Sequence, residues 1–212
     1  MRKALYIALF FVFCAPLAHA QDYQRGEIGA GYSANWVDTQ GAFSTNNNDN
    51  SRDLFHGFYV NGGGNFSRYW GIQAEVSHNR KTTDFTSTTG LPSQLRGQLT
   101  QFVAGVKLQD NSADTKVRPF ARALFGVAHA SGDFNVGTTT GSDSDNGFAA
   151  VIGGGVAFRL NHSVDFVTSA DWNPNHFSNN GTGIGGVGGN TGSGWDHNFR
   201  AGLGLNFRFG GK

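Results

Sequence analysis

The stretch that decides the fold is Trp195-Asp-His-Asn-Phe-Arg-Ala-Gly-Leu-Gly-Leu-Asn-Phe-Arg-Phe209. One alternate set of its residues is Trp195, His197, Phe199, Ala201, Leu203, Leu205, Phe207 and Phe209, and the other is Asp196, Asn198, Arg200, Gly202, Gly204, Asn206 and Arg208. A period of two predicts a β-strand with one apolar and one polar face. The alternation exceeds the roughly nine to eleven residues with which a tilted strand crosses a bilayer, so this strand suits a membrane barrel better than a soluble sheet.

Seven further segments show the same alternation. With the last one, they span residues 26–37, 54–64, 69–79, 97–109, 117–130, 148–160, 163–173 and 195–209. The long connections are 38–53, 80–96, 131–146 and 177–194, and the short ones are 65–68, 110–116 and 161–162. Short turns at one end and long loops at the other are typical of outer-membrane barrels. The sequence therefore predicts an all-β fold, an eight-stranded antiparallel up-and-down transmembrane β-barrel that forms one domain over residues 21–212.

The first 20 residues carry the pattern of a targeting segment. A basic start, an apolar run from Ala4 to Leu17 and the site Ala18-His-Ala20 predict a signal peptide at residues 1–20. Its removal takes away Cys14, the only cysteine, so no disulfide is expected. It also takes Arg2 and Lys3 from 16 Lys and Arg, which leaves 14 against 15 Asp and Glu. A nearly neutral chain gives no electrostatic support to nucleic-acid binding.

The charged residues within the predicted strands all share the polar face. They are Glu27, Glu75, Lys107, Arg122, Arg159, Asp165, Asp171, Arg200 and Arg208. An arginine on the lipid face near mid-membrane costs roughly 2–4 kcal/mol, so this face is predicted to line the lumen. Buried charges must pair, and we expect Arg122 and Arg200 to meet two carboxylates, those of Glu75 and Asp171. A lumen packed with charged side chains argues against a wide diffusion pore.

The four tryptophans give an independent test of the orientation. Trp36, Trp70, Trp172 and Trp195 all fall on the apolar face, near segment ends. Indole rings prefer the membrane–water interfaces, so two girdles are expected, with Trp70 at the end of the short turns. The alternative is a soluble, lipocalin-like barrel with its apolar face inside, which the long apolar faces and the tryptophan positions do not favour.

The chain resembles the small outer-membrane β-barrel family of Gram-negative bacteria, of the OmpA-like or porin-like type. The stretches that carry the resemblance are Arg118-Pro-Phe-Ala-Arg-Ala-Leu-Phe-Gly126, Gly153-Gly-Gly-Val156, Ala170-Asp-Trp172 and Asn198-Phe-Arg-Ala-Gly-Leu-Gly-Leu-Asn-Phe-Arg-Phe-Gly210. The resemblance implies an integral protein of the outer membrane, exported by its signal peptide, whose last strand is read by the barrel-assembly machinery. It also implies contact with outer-membrane lipid and lipopolysaccharide, and a structural or surface-interaction role: membrane integrity, adhesion or, at most, small-pore activity. An extracellular ligand would bind the long loops.

An enzymatic alternative comes from His176-Phe-Ser-Asn-Asn-Gly181. This stretch is similar to one in the outer-membrane lipid A deacylases, which are also eight-stranded barrels. By that resemblance Ser178 would be the nucleophile, His176 its base and Asp196 the group that orients the histidine. Asp196 falls on the inward face and Pro174 is expected to interrupt the strand before His176, both of which speak against a triad. No cofactor is expected, and the scattered histidines lack the spacing of a metal site.

Overall fold

The computed structural model of the chain describes residues 23–39, 43, 52–87, 90–112, 115–177 and 194–210. Each strand pairs antiparallel with its neighbours in sequence, and β8 closes onto β1 to complete a barrel. The strands are β1 (Gly26–Asp38), β2 (Arg52–Asn65), β3 (Trp70–Thr86), β4 (Pro92–Gln109), β5 (Val117–Val136), β6 (Thr139–Arg159), β7 (Val164–Phe177) and β8 (Gly194–Phe209). The predicted fold class is confirmed. The described residues include no helix that is both long and apolar enough to span a bilayer.

The strand register fixes the tilt and width of the barrel. A row of paired residues that starts at Gly26 passes through all eight strands and returns to β1 at Trp36, ten residues further along. This stagger tilts the strands by about 40°, within the usual range for barrels. Eight strands at that tilt enclose an interior that side chains can fill, so the two faces meet very different surroundings.

The alternation correctly predicts which residues face the lumen and which face outward. All nine charges that were expected in the lumen point inward, eight of them buried and Arg159 half-buried. The four tryptophans point outward and are 39–51% exposed. Trp70 lies at the end with the short connections, called the turn end below, and the other three lie toward the opposite, loop end. The apolar band between them is the outer surface that a membrane barrel presents to lipid.

Four strands extend well beyond the predicted limits. β3, β4, β5 and β6 continue through most of the segments 80–96 and 131–146, which were expected to be loops. The two hairpins form a projecting sheet made of residues 81–86, 92–97, 131–136 and 139–146. Alternation fails to mark it because both of its faces meet water, so neither has to be apolar. Gly137, with φ of +60°, makes the tight β5–β6 turn, and its N–H donates to the Pro92 carbonyl of the other hairpin at 3.2 Å.

β7 does not stop at Pro174, contrary to expectation. It runs to Phe177, with Pro174 opposite His197 of β8. On the other side the β6 ladder skips two positions, between the pairs Ile152–Trp172 and Ala149–Asn175. Proline lacks a backbone N–H, and the N–H of a strand residue points toward only one of its two neighbouring strands. The strand therefore keeps its direction through pairing with β8 and loses ladder contacts only with β6.

Candidate functional site

Four buried charges form the ion-pair network that the sequence predicted, and it lies at mid-height in the lumen. Arg122 reaches Glu75 at 2.8 Å and Asp171 at 2.7 Å. Arg200 reaches Glu75 at 2.6 Å and Asp171 at 3.3 Å. The four residues come from β5, β8, β3 and β7, so the network joins opposite walls of the barrel. The two arginines alternate with the two carboxylates, so the four charges neutralise one another in a region that is shielded from solvent.

A second charged layer fills the turn end of the lumen. Lys107 pairs with Glu27, and Asp165 forms ion pairs with both Arg118 and Arg208, the latter with 2.8 Å between Nε and Oδ2. Arg118 is not among the lumen charges that the alternation predicts, although it is 1% exposed. Arg118 is the second residue of β5 and directly precedes Pro119, so few alternating residues come before it. Its inward orientation could have been predicted from the sequence, because Arg118 is spaced by two residues from Phe120 and by four from Arg122, which both face the lumen.

The space between the two charged layers is nearly filled. A cavity of about 10 Å³ lies there, with Tyr59, Lys107, Phe120 and Arg122 among its lining residues. That volume matches about one water molecule. This level of the described lumen therefore has no room for a hydrated solute to pass.

Toward the loop end, the lumen changes from charged to amide and then to apolar side chains. Gln101 donates to Asn173 at 2.8 Å and to Asn175 at 2.7 Å, within a layer of buried amides. Next to this layer, an apolar plug consists of Val37, Phe43, Phe55, Leu95, Leu99, Val103, Leu124, Ala128, Ala130, Ala149, Val151 and Phe177. The expectation of a lumen packed with charges is thus correct for its turn end and its middle. At the loop end the filling is mostly apolar, although Lys81 pairs there with the buried Asp53 at 2.6 Å.

The projecting sheet is exposed over most of both faces, although Leu95 on its inner face belongs to the apolar plug. β2 pairs with β3 only as far as Arg80, and β7 pairs with β6 only from Gly147. Residues 81–86 and 139–146 therefore lack a further partner strand among the described residues. Phe85 and Phe134, both on the inward parity, are 39% exposed because no barrel wall faces them at this height. An open groove of about 630 Å³ lies beside Asp84, Gln94 and Asn135.

The residues of the enzymatic alternative are only partly described. Ser178 lies outside the described residues. His176 is half-buried on the outer face and stacks on Trp195, with ring centroids 5.1 Å apart. In the register, Trp195 lies opposite His176 while Asp196 lies opposite Asn175, so the imidazole and the carboxylate leave the sheet on opposite faces. Among the described residues, no group of three or more His, Cys, Asp or Glu could hold a metal ion.

At the turn end, Asp110 organises the β4–β5 connection. Its carboxylate accepts from the N–H of Ser112 at 3.1 Å, from the hydroxyl of Thr115 at 3.3 Å and from Arg68 at 3.3 Å. Burial alone would raise the pKa of Asp110, but the hydrogen bonds from Ser112 and Arg68 outweigh it and hold the pKa below its ordinary value. This turn is stabilised by an ionised carboxylate.

A family model described as "Outer membrane protein beta-barrel domain" matches residues 5–207. Among solved structures, the chain is similar to Ail, the attachment invasion locus protein of Yersinia pestis, solved in complex with the heparin analogue sucrose octasulfate; identity is 18%, coverage is 88% of this chain and 99% of that one, and the TM-score is 0.54. It is also similar to a major outer membrane protein of Thermus thermophilus, with 12% identity, coverage of 87% and 99%, and a TM-score of 0.54. At these identities the likeness concerns the fold. No curated protein matches the sequence.

Proposed function

The chain belongs to the family of outer membrane protein β-barrel domains, and from that premise we propose that it makes contacts at the cell surface through its projecting sheet. The protein is located in the outer membrane and has a structural or surface-interaction role. The observation that carries the proposal is the sheet itself, which has exposed Phe85 and Phe134 and two edges that lack a partner strand among the described residues. An extended segment of a partner protein can add a strand to such an edge.

The charges of the projecting sheet indicate the kind of partner. The sheet carries Asp84, Asp133, Asp143 and Asp145 against Lys81 and Arg96. A polyanion is therefore not favoured there, unlike the sucrose octasulfate bound by Ail. The edges, the exposed phenylalanines and the acidic side chains together suit a neutral or basic extended protein segment. The predicted loops 38–53 and 177–194, which lie largely outside the described residues, would extend the same contact surface.

Cell adhesion tests this proposal with a matched control. Cells that express the F85S/F134S variant should adhere to cultured epithelial cells several-fold less than cells with the parent protein. The F66S variant alters an even more exposed phenylalanine, 63% against 39%, at the turn end and should adhere like the parent. Both variants should keep the gel-mobility shift of a folded barrel. Equal adhesion by folded F85S/F134S cells would overturn the surface-contact proposal.

The filled lumen supports membrane integrity as a second role. Ion pairs join the walls at mid-height and apolar packing closes the loop end, so the barrel is suited to sealing rather than to conducting. In a strain that lacks the protein, the parent and F85S/F134S should restore detergent resistance equally. Failure of the parent to do so would remove this role while leaving the adhesion result to stand by itself.

Export and envelope partners complete the proposal. Residues 1–20 act as a signal peptide, β8 is the strand read by the barrel-assembly machinery, and outer-membrane lipid with lipopolysaccharide surrounds the apolar band. The basic start and the Ala18-His-Ala20 site support the first point. N-terminal sequencing of the mature protein should begin at Gln21, and a start at Met1 would exclude cleavage.

A further inference from the structure

Five of the seven histidines lie on the outer face of the barrel, near the tryptophans of the loop end. They are His56, His78, His129, His176 and His197. His176 pairs with Trp195, and His197 stacks on Trp172 with centroids 5.7 Å apart. On β2, His56 lies two residues from Leu54, the partner of Trp36. The histidines thus form a belt at the interface where lipid headgroups begin.

One part of this belt combines two imidazoles with an arginine. His56 lies directly opposite Arg80 across the β2–β3 ladder, and His78 lies two residues before Arg80 on the same face. Arg80 is exposed and makes no ion pair among the described residues. Because residues i and i+2 of a strand share a face, the three side chains point the same way, out of the barrel.

Each imidazole is already oriented through one ring nitrogen. Tyr32 Oη contacts Nδ1 of His56, and Nδ1 of His78 lies 2.9 Å from Thr100 Oγ1. Within the described chain, Nε2 of either ring has no hydrogen-bond partner. A histidine becomes a donor at both nitrogens when protonated, so each ring can present a charged Nε2–H group to a ligand outside the barrel.

Among the charged groups around the two imidazoles, three arginines stand against two aspartates, an excess of one positive charge. On the outward parity of the four neighbouring strands the charged and titratable groups are Tyr32 and Asp38 on β1, Arg52 on β2, Arg80 and Asp84 on β3 and Arg96 on β4. Asp38 lies opposite Arg52 in the register, and Asp84 accepts from Gln94 at 2.7 Å. Neither carboxylate is paired in the register with His56 or His78, so the site favours an anion.

We propose that His56, His78 and Arg80 bind the phosphate groups of a phosphorylated glycolipid in the outer leaflet, more tightly as the pH falls through the histidine range. This inference rests on the proposed contact with lipopolysaccharide and names its residues. Phe58, Val60 and Val76 are exposed toward mid-membrane from the site, where they can contact the acyl chains of the same lipid. That continuity favours a lipid over free phosphate, and histidine changes charge between about pH 5 and 8.

Lipid binding at two pH values tests the proposal. The full chain, folded in phosphatidylcholine vesicles without divalent cations, is titrated with purified bisphosphorylated lipid A at pH 5.5 and at pH 7.5. One positive charge near an anionic surface changes affinity by about five-fold. The lipid phosphates themselves lose negative charge over this pH interval, and this loss is the same for the parent and for H56Q/H78Q. The ratio of the parent's affinity to that of H56Q/H78Q should therefore be at least about five-fold larger at pH 5.5 than at pH 7.5. R80Q should bind more weakly than the parent at both values. H162Q, altered in the β6–β7 turn, should behave like the parent.

Each contrary result has its own meaning. If the ratio of the parent's affinity to that of H56Q/H78Q is the same at both pH values, or if dephosphorylated lipid A binds equally well, the phosphate site is refuted. If inorganic phosphate at equal concentration displaces lipid A, the site is a free-anion site and the lipid assignment is wrong. If the parent binds no lipid A at either pH, the lipopolysaccharide partner proposed above fails as well.

Discussion

The middle of the lumen and the projecting sheet are built from some of the same strands, yet their charged residues lie in opposite environments, one buried and the other exposed to water. At mid-height β3 and β5 contribute Glu75 and Arg122 to a buried network, where every charge has a partner. Above the membrane the same strands carry Asp84 and Asp133 into water, on a sheet with open edges. Burial raises the energetic cost of an unpaired charge, so the lumen is predicted to carry stability, whereas the sheet remains available for contact.

The largest expected effect breaks the lumen side of this contrast. Arg122→Met leaves Glu75 and Asp171 with only Arg200 between them, and removing one partner of a buried pair typically costs about 3–5 kcal/mol. Urea unfolding in vesicles, followed by tryptophan fluorescence, measures the loss. Arg159→Met is the matched control, since Arg159 is half-buried and forms no ion pair with any described residue; its loss should stay below about 1 kcal/mol. Equal losses would mean that the network is not what stabilises the barrel.

A substitution in the apolar plug should lower stability through lost packing rather than through an unpaired charge. Leu99 is 1% exposed, and Leu99→Ala should destabilise the barrel by roughly 2–4 kcal/mol because it leaves a cavity. Since the charged layers below remain, neither the parent nor the variant should show steady conductance in a planar bilayer. A stable diffusion pore in the parent would contradict the closed lumen described here.

The exposed ion pair between Arg68 and Asp110 at the turn end should contribute far less stability than the buried network. The pKa of Asp110 is held below its ordinary value, so its contribution is complete above the unfolded-state pKa and is lost as the pH falls through the lower, folded-state pKa. Asp110→Asn should remove no more than about 1 kcal/mol at pH 7, and the difference from the parent should shrink as the pH falls below the ordinary pKa of an aspartate. A difference that grows toward low pH would have the wrong sign for this account.

A single substitution in the projecting sheet should barely affect stability. Phe134→Ser changes an exposed side chain outside the filled lumen, so the free energy of unfolding should change by less than about 0.5 kcal/mol. The same urea titration provides the measurement. A loss as large as that of Leu99→Ala would show that the sheet is part of the folding core rather than a separate contact surface.

No effect at all is expected from Ser178→Ala on lipid A. His176 stacks on Trp195 and Asp196 leaves the sheet on the other face, so these two residues do not support a triad. Mass spectrometry of lipid A from expressing cells should give the same acyl pattern for the parent, the variant and cells without the protein. A deacylated species present with the parent and absent with the variant would restore the enzymatic alternative.

The network could be predicted because its residues combine a strict parity with a strong energetic rule. Glu75, Arg122, Asp171 and Arg200 lie well inside alternating segments, and charges that cannot face lipid must pair within a narrow lumen. Arg118 was not predicted to face the lumen because it lies at the start of a strand. The apolar plug was not predicted because Leu99 and Leu124 alternate in the same register as the polar residues that face inward. Alternation tells which face a residue takes, but not at what height along the barrel it lies.

The sequence by itself determined the number of strands, their order and the face of nearly every residue, because the period of two and the sign of each face can be read locally. Only the tertiary structure decided the ten-residue stagger that stacks the charged, amide and apolar layers. It also decided the extension of β3–β6 into a projecting sheet and the meeting of His56, His78 and Arg80 on one face. These features depend on register between strands far apart in sequence, and on water surrounding both faces of a strand, neither of which leaves a periodic signal in the chain.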